Sequence, residues 1–164
     1  NASNEEIVAA YKKSAEMGNS EAMYFLGKWC QDGDKGLTVD IQESFRWWKK
    51  AAEIGCSQAQ CAIGDCYDFG KGAAEDKIEA LKWYKRSASK DYIPAVYVLG
   101  LCYYYGNGIR KNKREALRYF RRAAKNECAA AVCMIGEYYY YGYIVDEDEE
   151  EAAKYFKRAA ELGK

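Results

Sequence analysis

Apolar and polar positions along the chain follow the helical period, and two kinds of segment alternate. One kind is amphipathic, with side chains three apart on one face at Val8/Tyr11, Phe45/Trp48, Leu81/Tyr84, Leu117/Phe120 and Ala153/Phe156. Each such segment opens on a good helix cap (Ser3, Asp40, Asp76, Asn112, Asp148) with a glutamate three positions on (Glu6, Glu43, Glu79, Glu115, Glu151). This is the capping-box spacing, in which cap and glutamate each accept a hydrogen bond from the other's backbone N–H. Each closes on paired cations, Lys12-Lys13, Lys49-Lys50, Lys85-Arg86, Arg121-Arg122 and Lys157-Arg158, which suit the negative end of a helix dipole. The other kind is shorter and more apolar, over about 19–32, 56–69, 92–105 and 128–141. Residues 95–105 (AVYVLGLCYYY) contain no charge at all. A helix apolar all round must be covered on most sides. This one is too short to cross a bilayer. Pro94 falls in its first turn, the helical position that proline favours.

The two kinds recur in a fixed register. A small pair ends the amphipathic helix at Ser14-Ala15, Ala51-Ala52, Ser87-Ala88, Ala123-Ala124 and Ala159-Ala160, in steps of 37, 36, 36 and 36. Glycines stand at Gly27, Gly64, Gly100 and Gly136, and again six residues later at Gly33, Gly70, Gly106 and Gly142. The one extra residue falls between Gly33 and Gly36, in a turn that tolerates insertion. Self-similarity at such a period is the signature of a repeat architecture. The chain therefore reads as one all-α domain of about nine helices: a leading helix over 3–18, then repeats over 19–55, 56–91, 92–127 and 128–163. An interior glycine costs a helix about 1 kcal/mol, so the Gly27 column is expected to mark a close approach of two helices.

These columns resemble the Sel-one-like repeat, a relative of the tetratricopeptide repeat. The clearest copy reads Ala95-Val-Tyr-Val-Leu99-Gly100-Leu-Cys-Tyr103-Tyr-Tyr-Gly106-Asn-Gly108, then Asn112 and Tyr119-Phe120-Arg-Arg-Ala123-Ala124. Two units depart from the pattern: Cys30 replaces the tyrosine of the first, and Ile144 replaces the second turn glycine of the fourth. The resemblance implies a right-handed α-solenoid of antiparallel helix pairs. It also implies an adaptor that assembles other proteins.

Advancing about 100° per residue from each column glycine sorts the positions around the first helix of a pair. The small residue five before (Ala22, Ala59, Ala95, Ala131), the aliphatic one before (Leu26, Ile63, Leu99, Ile135) and the position three after (Cys30, Tyr67, Tyr103, Tyr139) share one arc, expected to pack on neighbouring helices. Positions two before, one after, two after and five after fall opposite and vary between units. From these, the expected protein-binding residues on a concave face are Phe25, Lys28, Trp29, Asp65, Phe69, Leu101, Tyr105, Met134, Glu137, Tyr138 and Tyr141. In a solenoid the first helices line that face, and an exposed apolar strip marks an interaction surface. The competing reading is ordinary packing against the next repeat.

Composition removes other functions. The chain has 164 residues, 25 Lys+Arg, 25 Asp+Glu and no histidine. No Ser-His-Asp or Cys-His pair, histidine metal site or imidazole switch can form. Zero net charge speaks against nucleic-acid binding, and no apolar run is long enough for membrane insertion. The seven cysteines contain no C-x-x-C motif, and the pairs five apart point away from each other on a helix. They are expected to stay unbridged, which favours a reducing compartment such as the cytoplasm; an exported protein stays open if a signal peptide has been removed. The Gly-x-Gly turns lack the Lys-Ser/Thr of a phosphate loop, and the acidic run 146–151 lacks the spacing of a calcium loop. No cofactor or metal is expected. The expectation is a monomeric, non-enzymatic scaffold for a protein or peptide partner. The alternatives are a relative of the cysteine-rich repeat proteins with β-lactam-binding or hydrolase activity, and a piece of a longer multi-domain array. The former would need an activated nucleophile, and the chain has no histidine to serve as its base.

Overall fold

The computed structural model describes residues 3–163 and contains, among them, nine α-helices and no strand. They are α1 (Asn4–Glu16), α2 (Ser20–Asp32), α3 (Ile41–Ile54), α4 (Ser57–Phe69), α5 (Lys77–Ser89), α6 (Ile93–Tyr105), α7 (Lys113–Lys125), α8 (Ala129–Tyr140) and α9 (Glu149–Leu162). The fold class is the expected one, tandem helix pairs of the α-solenoid type. The chain divides into two compact units, one ending at Ser87 and the other beginning at Ala88. In the first, α2 packs on α1 and α3, and α3 on α4. In the second, α7 packs on α6 and α8, and α9 on α8.

The arc assigned to packing does pack. Ala22, Leu26, Ala59, Ile63, Ala95, Leu99, Ala131 and Ile135 are all buried. The glycine column is what lets the two helices of a pair come together. A Cβ on Gly27 would stand 2.5 Å from the ring of Trp48, and one on Gly64 2.5 Å from Tyr84. In the second unit the same positions meet Phe120 (2.5 Å from Gly100) and Phe156 (2.7 Å from Gly136). The bulky residue of each second helix thus presses against a bare patch of the first.

At α3, α5, α7 and α9 the cap spacing forms only half of its expected bonds. Asp40, Asp76, Asn112 and Asp148 each accept from the N–H three residues on, at 2.9, 2.9, 3.1 and 2.9 Å. Among the described residues, the reciprocal bond from cap N–H to glutamate forms at Ser3 and Glu6 alone, at 2.9 Å. The reason is tertiary. The N–H groups of Asp40, Asp76, Asn112 and Asp148 donate instead to the carbonyls of Cys30, Tyr67, Tyr103 and Tyr139, at 2.8–2.9 Å. Those carbonyls belong to the helix before, so the turn is stapled shut; at α1, Glu6 takes the N–H of Ser3 instead. The four released glutamates turn to the cation three residues on, Arg46, Lys82, Arg118 and Lys154, at 2.8–3.3 Å.

The paired cations also do more than complement their own dipole. In the second unit Arg122 donates to the carbonyl of Ala88 and to Asp91, while Arg158 donates to the carbonyl of Ala124. In these two pairs the second cation therefore caps the C-terminus of the preceding second-type helix.

Ile144, which stands where other repeats have glycine, keeps the glycine backbone at φ +66°; Gly72 and Gly108 sit at +76° and +68°. A β-branched residue is strained there, by about 1–2 kcal/mol. Ile144 is also 50% exposed, so little burial is lost by removing it. Ile144→Gly is expected to raise unfolding stability by about 1 kcal/mol, read from denaturant midpoints.

Candidate functional site

The eleven residues assigned to a binding face divide by position relative to the column glycine. One residue after it, Lys28 and Asp65 are exposed, and Leu101 and Glu137 are half-buried. Five after it, Phe69, Tyr105 and Tyr141 are 63%, 62% and 56% exposed. Two before it, Phe25 is half-buried and Met134 is buried. Two after it, Trp29 and Tyr138 are buried, as are Cys66 and Cys102.

Trp29, Met134 and Tyr138 therefore lie in the core, and the reason is the same for both rings. A residue two after the glycine turns toward the preceding helices rather than outward. Trp29 packs on Tyr11 of α1, ring centroids 4.7 Å apart. Tyr138 meets Tyr104 of α6 at 6.0 Å and Phe120 of α7 at 6.2 Å, and its hydroxyl donates to the carbonyl of Lys113 at 2.7 Å. The open arc is narrower than the sequence pattern implies. It holds the positions one and five after the glycine, with the position two before on its flank.

In the first unit this arc contains a cavity of about 240 Å³ between α2 and α4, floored by α3. Lys28, Asp65 and Phe69 line it, together with Tyr24, Ser44 and Trp48. Trp48 is held in place by its indole N–H, which donates to the carbonyl of Tyr24 at 3.0 Å. Asp65 accepts the hydroxyl of Tyr84 at 2.6 Å. Desolvation raises the Asp65 carboxyl above its ordinary value, a shift that the Tyr84 bond opposes. Burial likewise raises the Tyr84 hydroxyl, and the Asp65 bond adds to it. Tyr24, Ser44 and Trp48 were not visible as site residues in the sequence: Trp48 falls on the packed face of its amphipathic helix, and Tyr24 and Ser44 belong to neither repeating set of positions.

In the second unit the exposed rings of Tyr105 and Tyr141 each lean edge-on against a neighbour, Tyr104 and Tyr140, at 4.9 Å. Glu137 and Tyr141 both act on the Tyr104 hydroxyl, whose pKa is raised by desolvation first and then by these neighbours.

None of the seven cysteines is disulfide-bonded. Burial pushes the thiols of Cys61 and Cys66 up to about 12, so both are protonated at neutral pH and poor nucleophiles. No group of three or more cysteine or acidic side chains that could hold a metal ion occurs among the described residues.

The Sel1 repeat family model matches residues 20–56, 57–92, 93–128 and 129–164. The chain superposes with a TM-score of 0.92 on a Sel1 repeat protein from Oxalobacter formigenes, at 30% identity over 98% of this chain and 65% of that one. It superposes with a TM-score of 0.86 on c5321, a protective antigen of uropathogenic Escherichia coli with an SLR fold, at 30% identity over 97% of this chain and 34% of that one. It thus spans less than two thirds of either. Immunity protein Pa5087 from Pseudomonas aeruginosa, at 24% identity and a TM-score of 0.67 over 96% of this chain and 58% of that one, shares the fold. No curated protein sequence matches the chain.

Proposed function

The chain belongs to the Sel1 repeat family, whose members are generally protein-interaction scaffolds, and from that premise we propose that it is a non-enzymatic scaffold binding a partner protein or extended peptide along the open arc of its first-type helices. One observation carries the reading. Five residues after the column glycine, three consecutive repeats leave a large aromatic ring in solvent: Phe69, Tyr105 and Tyr141. Folding alone gives no reason to repeat an exposed ring at one register, whereas aromatic anchors dominate binding energy at protein interfaces. Asp65 and Glu137 stand one turn before Phe69 and Tyr141, and with Lys28 they supply charge for specificity. Leu101 adds an apolar side chain to the arc, and Phe25 lies on its flank. Trp29, Met134 and Tyr138 support the arc from beneath.

The test is a set of glutamate substitutions at Phe69, Tyr105 and Tyr141, singly and together. Each is expected to leave the midpoint of thermal unfolding within a few degrees, as surface changes stay within about 0.5 kcal/mol. Capture of the native partner from the source organism is expected to fall at least about tenfold for each single change. Undiminished capture by the triple variant would refute the reading.

A further inference from the structure

The first unit's cavity is too small for most free ligands and the right size for one side chain. At about 240 Å³ it falls below the roughly 300–1,000 Å³ of sites that enclose small molecules. Tyr24, Ile41, Trp48, Ala62 and Phe69 supply its apolar wall, and Gln31 and Cys66 also line it. Ser44 of α3 also lines it, and the Ser44 hydroxyl is buried without a hydrogen-bond partner. Leaving such a group unpaired is costly unless an occupant supplies the bond. Two cations, Lys28 and Lys71, stand at the cavity, and neither has an ion-pair partner among the described residues. The one carboxylate there, Asp65, already accepts the Tyr84 hydroxyl.

We infer that this cavity seats a tyrosine side chain of the partner, carried on a segment with acidic residues on either side. The ring fills the apolar walls, the phenol hydroxyl pairs with Ser44, and the flanking carboxylates meet Lys28 and Lys71. This deepens the protein-binding reading and rests on it.

The probes are four blocked pentapeptides titrated into the whole chain: Glu-Glu-Tyr-Glu-Glu, the same with phenylalanine or alanine in the centre, and Lys-Lys-Tyr-Lys-Lys. Affinity is read by calorimetry, and location by the amide shifts of Ala62 and Cys66. The tyrosine peptide is expected to bind at least about tenfold tighter than the alanine one. It is also expected to outbind the phenylalanine and lysine-flanked peptides. Ser44→Ala is expected to erase the preference for tyrosine over phenylalanine. Lys28→Glu, at an exposed position, is expected to weaken the acidic peptide several-fold and to flatten its salt dependence. Ala62→Trp is expected to fill the cavity and abolish binding. Equal binding of tyrosine and alanine peptides, no preference over phenylalanine, equal or tighter binding of the lysine-flanked peptide, or shifts confined to other helices would each overturn the inference. Should Ala62→Trp fail to fold, Lys28→Glu and Ser44→Ala decide alone. Native partner captured undiminished by a folded Ala62→Trp chain would sink the cavity while leaving the scaffold reading intact; the triple ring variant tests that reading separately.

Discussion

Truncating Tyr138 to alanine is expected to destabilise the protein by about 3–5 kcal/mol, the range for deleting a fully buried aromatic ring. Tyr138 is 0% exposed and sits where three elements meet, in ring contact with Tyr104, Phe120 and Tyr143. Removing it leaves a void and gives up the hydrogen bond that its hydroxyl donates to the Lys113 carbonyl. Tyr138→Phe separates the two losses. It keeps the packing and gives up the hydrogen bond, and is expected to cost about 1 kcal/mol. Urea unfolding followed by circular dichroism reads both. A Tyr138→Ala protein as stable as the parent would show the ring to be peripheral, as its sequence position alone implies. Burial also pushes the Tyr138 hydroxyl above its ordinary value, so it stays a neutral donor throughout the physiological range.

Gly100→Ala is expected to destabilise by about 1–3 kcal/mol, the cost of forcing extra volume into a packed core. Helix propensity points the other way, favouring alanine by about 1 kcal/mol. The clash is expected to win, since the new methyl would stand 2.5 Å from Cε1 and 2.6 Å from Cδ1 of Phe120. Phe120 cannot swing aside easily, being fully buried with Tyr97, Tyr104 and Tyr138 around it. Shrinking the ring tests the cause. With Phe120→Leu as background, Gly100→Ala is expected to cost less, giving a coupling of about 0.5–3 kcal/mol in a double-mutant cycle. Additive losses would show that the glycine serves something other than this contact.

The architecture was legible because each of its rules repeats. A cap residue, a glycine and a small pair held one register, and the helices begin and end within a residue or two of where those signals lie. The close approach at Gly27, Gly64, Gly100 and Gly136 was legible too, since a mid-helix glycine carries an intrinsic cost that packing must offset. The binding arc was only partly so. The helical period separates inward from outward positions of one isolated helix, and it placed Lys28, Asp65, Phe69, Tyr105 and Tyr141 outward. It could not separate solvent from a neighbouring helix on that outward side, and so Trp29, Met134 and Tyr138 joined the same set.

The chain's own pattern of residues thus settled the class of fold, its repeat length, its caps and its helix-pair contacts, because all of these are interactions between residues close in sequence or locked to one period. Packing between successive pairs decided the rest: which outward rings are core, which N–H groups are taken by the preceding helix, and where α2 and α4 leave a cavity above α3. Those outcomes depend on the angle and spacing at which helices meet, and the hydrophobic period of a single helix carries neither quantity.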